Sequence, residues 1–146
     1  MNMKKDLIAK QSVIINAPAA KVWDALINPE IIKEYLFGTN VVSDWQAGSS
    51  ITYRGEWKGK TYEDKGTILE LTPERRFVST YWSSMSGLPD TPENYKKVTW
   101  ELLPEKDGIR LTVLQDNNAS EAERNHSEGN WKLVLEKIKE LVESEN

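Results

Sequence analysis

The sequence predicts an α+β domain in which a curved antiparallel sheet of seven strands is covered on one face by a long carboxy-terminal helix. Three observations predict this arrangement. Apolar and polar residues alternate with a period of two from about residue 40 to 116, which is typical of antiparallel strands with one buried face. Two short helical patterns precede this region, and a longer one follows it. The 146 residues fit one domain, which we assign to residues 1–146.

A strand and two short helices are predicted at the start of the chain. Residues 7–17 are rich in β-branched side chains and alternate imperfectly, which favours a strand. Pro18 suits the first turn of the helix that follows. The pair Asn28-Pro29 ends that helix and begins a second one, which runs to Gly38.

Six further strands account for the period-two region. They are predicted near residues 41–45, 50–57, 61–71, 76–82, 95–103 and 109–116. The connections between them contain Gly or Pro, as tight turns require. One face of the last two strands is expected to be buried, through Val98, Trp100, Leu102, Ile109, Leu111 and Val113.

The last element is a helix predicted over about residues 119–143. Ser120 and Glu123 have the spacing of a capping box at its start. An apolar stripe runs along its second half through Trp131, Val134, Leu135, Ile138, Leu141 and Val142. Such a helix covers the apolar face of a curved sheet.

Composition excludes several functional classes. The chain has no cysteine, so disulfides and thiolate chemistry are excluded. Its net charge of −4, with basic pairs scattered among acids, argues against a nucleic-acid-binding protein. No segment has the length and apolarity of a membrane span or a signal peptide. We therefore expect a cytoplasmic protein with no nucleic-acid partner.

Catalytic signals are weak. His126 is the only histidine, and its helical position is expected to face outward. No metal-ligand spacing or phosphate-binding glycine loop is present, so we expect no metal and no cofactor. Glu70 is a candidate inward carboxylate without an evident partner. An enzyme is accordingly the less favoured class.

The segment YRGEW at residues 53–57 is the first indication of a binding site. In a strand, Tyr53 and Trp57 face the interior with Gly55 between them. A glycine there allows the sheet to bend and allows the final helix or a bound molecule to approach the backbone. Inward aromatic side chains usually form core, but several wide rings on a bent sheet favour a concave, aromatic-lined pocket.

Two further segments are expected to border this pocket. The first half of the final helix presents polar residues inward, and its Arg124 suits a carboxylate or phosphate head group, or else an ion pair with Glu121 or Glu128. The long loop at 83–94 is a candidate rim or lid. The candidate ligand-binding residues are Tyr35, Trp45, Tyr53, Trp57, Tyr62, Trp82, Met85, Trp100, Arg124 and Trp131.

Several motifs in order resemble one family. They are INAPAAKVWDAL followed by NPE, SDWQAGSSITYRGEW, YEDKGTILEL, SGLPDTPENY, and TVLQDN before HSEGNW. Over about residues 10–143 the chain resembles the Hsp90 ATPase activator homologue family, a branch of the START-like, Bet v 1-like superfamily. The resemblance implies a helix-grip fold, in which a seven-stranded sheet wraps around the final helix and leaves a cavity. Eukaryotic members carry a separate amino-terminal domain, and we expect this chain to correspond only to their carboxy-terminal domain.

Three functional hypotheses follow. The first is a binding protein that encloses a small apolar or amphipathic molecule. The second, implied by the resemblance alone, is a stress-response or chaperone-regulating domain with an Hsp90-type partner. The third is a cyclase-like or hydrolase-like enzyme, which requires a buried acid or base inside the cavity.

Overall fold

The computed structural model describes residues 7–144, without the side chain of Trp57. The chain begins with strand β1 (Ala9–Ile15), helix α1 (Ala19–Ile27) and helix α2 (Pro29–Tyr35). Six strands follow, namely β2 (Asn40–Ser43), β3 (Ser50–Trp57), β4 (Lys60–Thr72), β5 (Arg76–Tyr81), β6 (Lys96–Glu105) and β7 (Gly108–Gln115). A short 3-10 turn, Pro92–Asn94, lies between β5 and β6, and helix α3 (Glu121–Ser144) ends the described chain.

All seven strands form one antiparallel sheet in the order β1-β7-β6-β5-β4-β3-β2. Strand β1 pairs with β7, so the first and last strands of the chain are neighbours. The predicted α+β class, with two short helices and a long carboxy-terminal one, is confirmed. No helix within residues 7–144 is long and apolar enough to cross a membrane.

The corner between α1 and α2 forms as the sequence predicts. The side chain of Asn28 accepts a hydrogen bond from the Glu30 backbone N–H at 3.0 Å, which caps α2, and Pro29 occupies the first turn. The Tyr35 hydroxyl donates to the Ala25 carbonyl at 2.8 Å. This buried bond fixes α2 against α1 beside the open end of the sheet.

The sheet bends at β4. A Cβ on Gly66 would lie 1.7 Å from the Thr80 carbonyl oxygen, so β5 approaches β4 as closely as only glycine permits. Two residues further on, the pairing shifts between Ile68 and Glu70, which is a β-bulge. Bulges and close backbone approaches both increase the curvature of a sheet. The concave face that results encloses the apolar interior.

Helix α3 lies against β1 and helices α1 and α2. Its start is capped by the Ser120 hydroxyl, which accepts from the Glu123 N–H at 3.1 Å, while the Glu123 carboxylate accepts from the Ala119 N–H. Its second half buries Val134, Leu135, Ile138 and Val142. Each such side chain contributes roughly 1.5–3 kcal/mol when it leaves water.

The strand faces agree with the predicted alternation, and the strand ends lie within two residues of the predicted ones. The inward residues of β6 and β7 are buried as expected, from Val98 to Leu102 and from Ile109 to Val113. Strand β2 ends at Ser43, two residues earlier than predicted, because Trp45 has a φ of 55°. That left-handed conformation takes the chain out of the extended strand geometry.

Candidate functional site

A cavity of about 530 Å³ lies between the concave face of the sheet, helix α2 and helix α3. Its wall is mostly apolar and includes Leu26, Ile32, Leu36, Val41, Ile51, Phe77, Val98 and Val134. Ligand pockets in proteins span about 300–1,000 Å³ and are lined in this way. The cavity therefore has the size and wall of a small-molecule site.

The mouth of the cavity is marked by the lining residues that are also exposed. These are Phe37 after α2, Glu56 near the end of β3, Met85 in the loop after β5, and Asn130 on α3. Phe37 is 78% exposed, which is unusual for a side chain of its size. The interior thus opens to solvent between α2, the β3–β4 hairpin, the 83–94 loop and the first half of α3.

Seven of the ten sequence-predicted site residues border the cavity. They are Tyr35, Trp45, Tyr53, Tyr62, Met85, Trp100 and Trp131. Trp100 and Trp131 meet edge to face with their ring centroids 5.5 Å apart, and so do Trp45 and Phe77 at 6.1 Å. The side chain of Trp57 lies outside the described part of the chain.

Trp82 and Arg124 do not border the cavity. Trp82 stacks on Tyr95 with centroids 6.5 Å apart and donates to the Leu88 carbonyl at 3.2 Å. It follows Tyr81, which does line the cavity, and consecutive strand residues face opposite sides. Arg124 lies 4.0 Å from Glu121. This contact is the ion pair that the sequence offered as the alternative role of Arg124.

Tyr62 explains why residue 55 is glycine. The two residues are direct partners across β3 and β4, and a Cβ on Gly55 would lie 2.3 Å from the Tyr62 hydroxyl oxygen. The ring of Tyr62 therefore fills the space that we expected the helix or a bound molecule to use. Its hydroxyl lies 2.6 Å from the Thr39 hydroxyl, which itself lies 2.7 Å from the Leu36 carbonyl.

A polar cluster forms one wall of the cavity around Asp64. The Tyr81 hydroxyl donates to one carboxylate oxygen at 2.6 Å, and the backbone N–H and hydroxyl of Ser84 donate to the other at 2.9 and 3.2 Å. Tyr53 meets Tyr81 edge to face at 5.5 Å. Asp64 is only 7% exposed, so this carboxylate is held inside the protein.

Burial and the Asp64 charge suppress ionisation of the neighbouring tyrosines. Burial is the main cause that raises the pKa of Tyr53 to about 12. A hydrogen bond with Ser79 lowers this pKa, and the Asp64 charge raises it by a smaller amount. The pKa of Tyr81 is raised above its ordinary value, first by burial and then by its hydrogen bond to Asp64. Both phenols are therefore neutral hydrogen-bonding groups at physiological pH.

A second polar group lies where α3 crosses the sheet. The Trp131 indole N–H donates to Gln115 Oε1 at 2.9 Å, and Gln115 Nε2 lies 3.5 Å from the Ser127 hydroxyl. Both Gln115 and Ser127 line the cavity. These contacts join β7 to the first half of α3 and orient the Trp131 ring towards Trp100.

The comparisons with known proteins agree with this architecture. The family model described as Activator of Hsp90 ATPase homolog 1-like protein matches residues 16–143. The chain belongs to this family. Its fold is the helix-grip fold of Bet v 1-like proteins, as the resemblance implied.

Solved structures extend the match. ChR145 from Cytophaga hutchinsonii is similar at 52% identity over 94% of both chains, with a TM-score of 0.84. NE0264 from Nitrosomonas europaea shares 22% identity over 96% of both chains, with a TM-score of 0.75. MLL2253 from Mesorhizobium loti shares 20% identity over 95% of this chain and 98% of its own, with a TM-score of 0.77. These last two show the fold alone. No curated protein matches the chain.

In this family member the 83–94 loop is fastened to the sheet. The Lys65 ammonium contacts Asp90 at 2.6 Å, and the Tyr95 hydroxyl donates to the same carboxylate at 2.5 Å. The hydrogen bond from Lys65 lowers the pKa of Asp90. Asn117 donates to the Glu93 and Tyr95 carbonyls at 2.9 and 3.0 Å. These bonds favour a fixed rim over a moving lid.

Sequence reasoning missed Asp64 and Tyr81, although the signal was present. Tyr62 was placed inside, and Asp64 is the next residue on the same strand face. Glu70 was the candidate inward carboxylate instead. The bulge before it turns its side chain outward, where it contacts Arg76 at 3.5 Å and accepts from Thr72 at 3.0 Å.

The chemical groups available in the cavity are those of its lining side chains. Among the described lining residues there is no histidine, cysteine or lysine that could act as nucleophile or as the base beside one. The described residues contain no group of three or more acidic or histidine side chains placed to hold a metal ion. What the wall offers is aromatic surface, hydroxyl groups and one buried carboxylate.

Proposed function

We propose that the protein binds a small apolar or amphipathic molecule in the cavity. The observation that carries this proposal is the aromatic-lined space of about 530 Å³ with a small number of polar groups on its wall. Concave apolar surface with a few oriented polar groups is the usual architecture of a ligand site. The family's helix-grip fold supports the same function.

Energetics favour an apolar occupant. Transfer of apolar surface out of water contributes about 25 cal/mol per Å², and water is stable in a cavity only where it finds several polar partners. Many polar side chains of this wall already bond within the protein, including Tyr35 to Ala25, Tyr62 to Thr39 and Trp131 to Gln115. Apolar rings and chains are therefore better suited than water to much of the space.

Native mass spectrometry of gently purified protein tests the proposal. We expect a reproducible additional mass that leaves on denaturation. Val98→Phe places extra volume in the cavity wall, and it should abolish the additional mass. Leu103→Phe is the matched control, because residue 103 lies on the same strand with its side chain 58% exposed.

Two results would contradict ligand binding. One is a bare mass together with no response to a panel of apolar and amphipathic compounds in solution. The other is retention of the additional mass by Val98→Phe, because a molecule bound elsewhere would not respond to a filled cavity.

A second candidate function is regulation of an Hsp90-type chaperone. It is supported by the family's description as activators of Hsp90 ATPase, and it needs a protein partner rather than a cavity ligand. Adding the protein to an Hsp90 of the same organism should then raise its rate of ATP hydrolysis. An unchanged rate at saturating protein would exclude this function.

A further inference from the structure

The charged groups that line the cavity are of one sign. Asp64 lies in the wall and Glu56 lies at the mouth, whereas no lysine, arginine or histidine is among the described lining residues. Two cations that are close to these acids in sequence form ion pairs with other residues. Lys65 pairs with Asp90, and Arg54 pairs with Glu63 at 2.9 Å on exposed side chains. Both charged residues of the described lining are therefore acidic.

The Asp64 carboxylate retains the capacity to bind a further donor. An ionised carboxylate has about four acceptor positions, and three donors from Tyr81 and Ser84 occupy part of them. No basic side chain within the described residues forms an ion pair with Asp64. Buried charges in proteins are normally paired with an opposite charge. A positively charged ligand would supply the missing partner.

The surrounding rings favour the same kind of group. Tyr53 and Tyr81 meet edge to face beside Asp64, and both line the cavity. Aromatic faces attract ammonium groups, most strongly where water is excluded. Beyond this wall the lining carries no further buried charge and includes apolar side chains such as Ile51, Phe77 and Val98. Charge recognition is thus confined to one place, and the rest of the space suits a hydrocarbon or ring body.

We infer that the cavity takes an amphipathic cation, in which an ammonium group pairs with Asp64 and an apolar, ring-containing body fills the remaining space. This inference rests on the proposed ligand-binding function and adds the chemical class of the ligand. It replaces the anionic head group that Arg124 suggested, because Arg124 does not line the cavity. It assigns the polar end of the ligand to the wall formed by β4 and β5.

Three probes that differ only in their head group test the inference. Naphthylethylamine is the cation, naphthylethanol is the neutral analogue, and naphthylpropionate is the anion. Isothermal titration calorimetry with the wild-type chain should rank their affinities in that order. Since a hydrogen bond to a charged partner is stronger than one between neutral groups, the amine should bind about tenfold more tightly than the alcohol.

Variants of neighbouring acids locate the effect. Asp64→Asn removes the charge while keeping the shape of the side chain, and the amine should lose about tenfold or more in affinity while the alcohol binds as before. Glu63→Gln is the matched control, because the adjacent residue lies on the exposed face of the same strand. Tyr81→Phe retains the carboxylate, so it should retain the preference for the amine.

The outcomes separate the two proposals. If the alcohol binds as tightly as the amine to the wild-type chain, the charge assignment is wrong and ligand binding stands. An equal loss for Glu63→Gln and Asp64→Asn would also overturn the assignment, because the effect would then be one of net charge. If none of the three probes binds, the charge assignment is contradicted, whereas ligand binding itself is decided by the native mass spectrum. The wild-type ranking requires no variant, so it decides the question even if Asp64→Asn fails to fold.

Discussion

The ring of Tyr62 lies over Gly55, so close that a Cβ at residue 55 would be 2.3 Å from the tyrosine hydroxyl oxygen. From this position the hydroxyl reaches Thr39, 2.6 Å away, at the connection between α2 and β2. Because the Thr39 hydroxyl donates to the Leu36 carbonyl, it accepts its second bond from Tyr62. Because Gly55 has no side chain, Tyr62 of β4 can bond to Thr39 and so stabilise the α2 side of the cavity mouth.

Gly55→Ala should lower the free energy of unfolding by about 1 kcal/mol, because the new methyl group displaces the Tyr62 ring and breaks its bond to Thr39. In a Tyr62→Ala background the same change should be neutral or stabilising, since alanine is better than glycine in a strand. Urea denaturation of the four chains of this double-mutant cycle measures the coupling, expected at about 1 kcal/mol.

Additive effects in that cycle would show that Gly55 is required for its backbone conformation rather than for the space that it leaves to the Tyr62 ring. Tyr62→Phe serves as the control for the hydroxyl alone. It leaves the ring over Gly55 and should cost about 0.5–1.5 kcal/mol.

Gly129→Ala should stabilise the protein. Residue 129 lies inside α3, it is exposed, and nothing lies within 4 Å of a Cβ built there. Alanine is better than glycine in a helix by about 0.5–1 kcal/mol, which corresponds to a rise of about 2–4 °C in Tm. Differential scanning calorimetry measures the change.

Gly66→Ala is the contrasting control for that experiment. Its Cβ would lie 1.7 Å from the Thr80 carbonyl oxygen, so this variant should be strongly destabilised. A lower Tm for Gly129→Ala would mean that α3 needs the glycine for a reason other than packing.

Much of the fold was predictable because its signals are local. The strand alternation, the Asn28-Pro29 corner and the capping box at Ser120 depend on neighbouring residues, and each forms as expected. The curvature at Gly66 was not predicted. It depends on the approach of Thr80 from β5, and the residues around Gly66 in the sequence give no indication of that contact.

The candidate site was less predictable because its composition depends on strand parity. A shift of one residue moves a side chain to the opposite face of the sheet, which is why the prominent Trp82 was chosen and the adjacent Tyr81 overlooked. The β-bulge at Ile68–Glu70 changes the parity of the following residues, so Glu70 could not be placed by counting. Arg124 was misplaced by projecting the apolar stripe of α3 back into its first turns.

Stability should fall at alkaline pH through the buried phenols. The pKa of Tyr53 is raised from 10.0 to about 12 in the folded protein, first by burial. As the pH rises above 10 the unfolded chain loses this proton while the folded chain keeps it, so the unfolded state is favoured progressively until the pH reaches about 12. Below the unfolded pKa the contribution is fully retained.

Comparison with Tyr53→Phe isolates this residue from the lysines that titrate in the same range. The variant cannot ionise at position 53. Between pH 10 and pH 11.5 its free energy of unfolding should therefore fall by roughly 1–2 kcal/mol less than that of the wild-type chain. Urea denaturation at a series of pH values gives both slopes. Parallel slopes would mean that Tyr53 is accessible to solvent in the folded protein.

Tryptophan fluorescence should distinguish the residues that border the cavity from Trp82, which lies on the other face of the sheet. A brominated alkanol such as bromodecanol quenches an indole only at contact distance, and as a neutral amphipathic molecule it suits the cavity. We expect it to quench the wild-type emission. The loss of intensity should be smaller in Trp100→Phe and Trp131→Phe, because both rings line the cavity and contact each other. In Trp82→Phe the loss should be unchanged, because that ring stacks on Tyr95 beneath the loop.

Unbrominated decanol controls for changes of conformation. If Trp82→Phe removed most of the quenching, the binding surface would be the outer face around Tyr95 rather than the cavity.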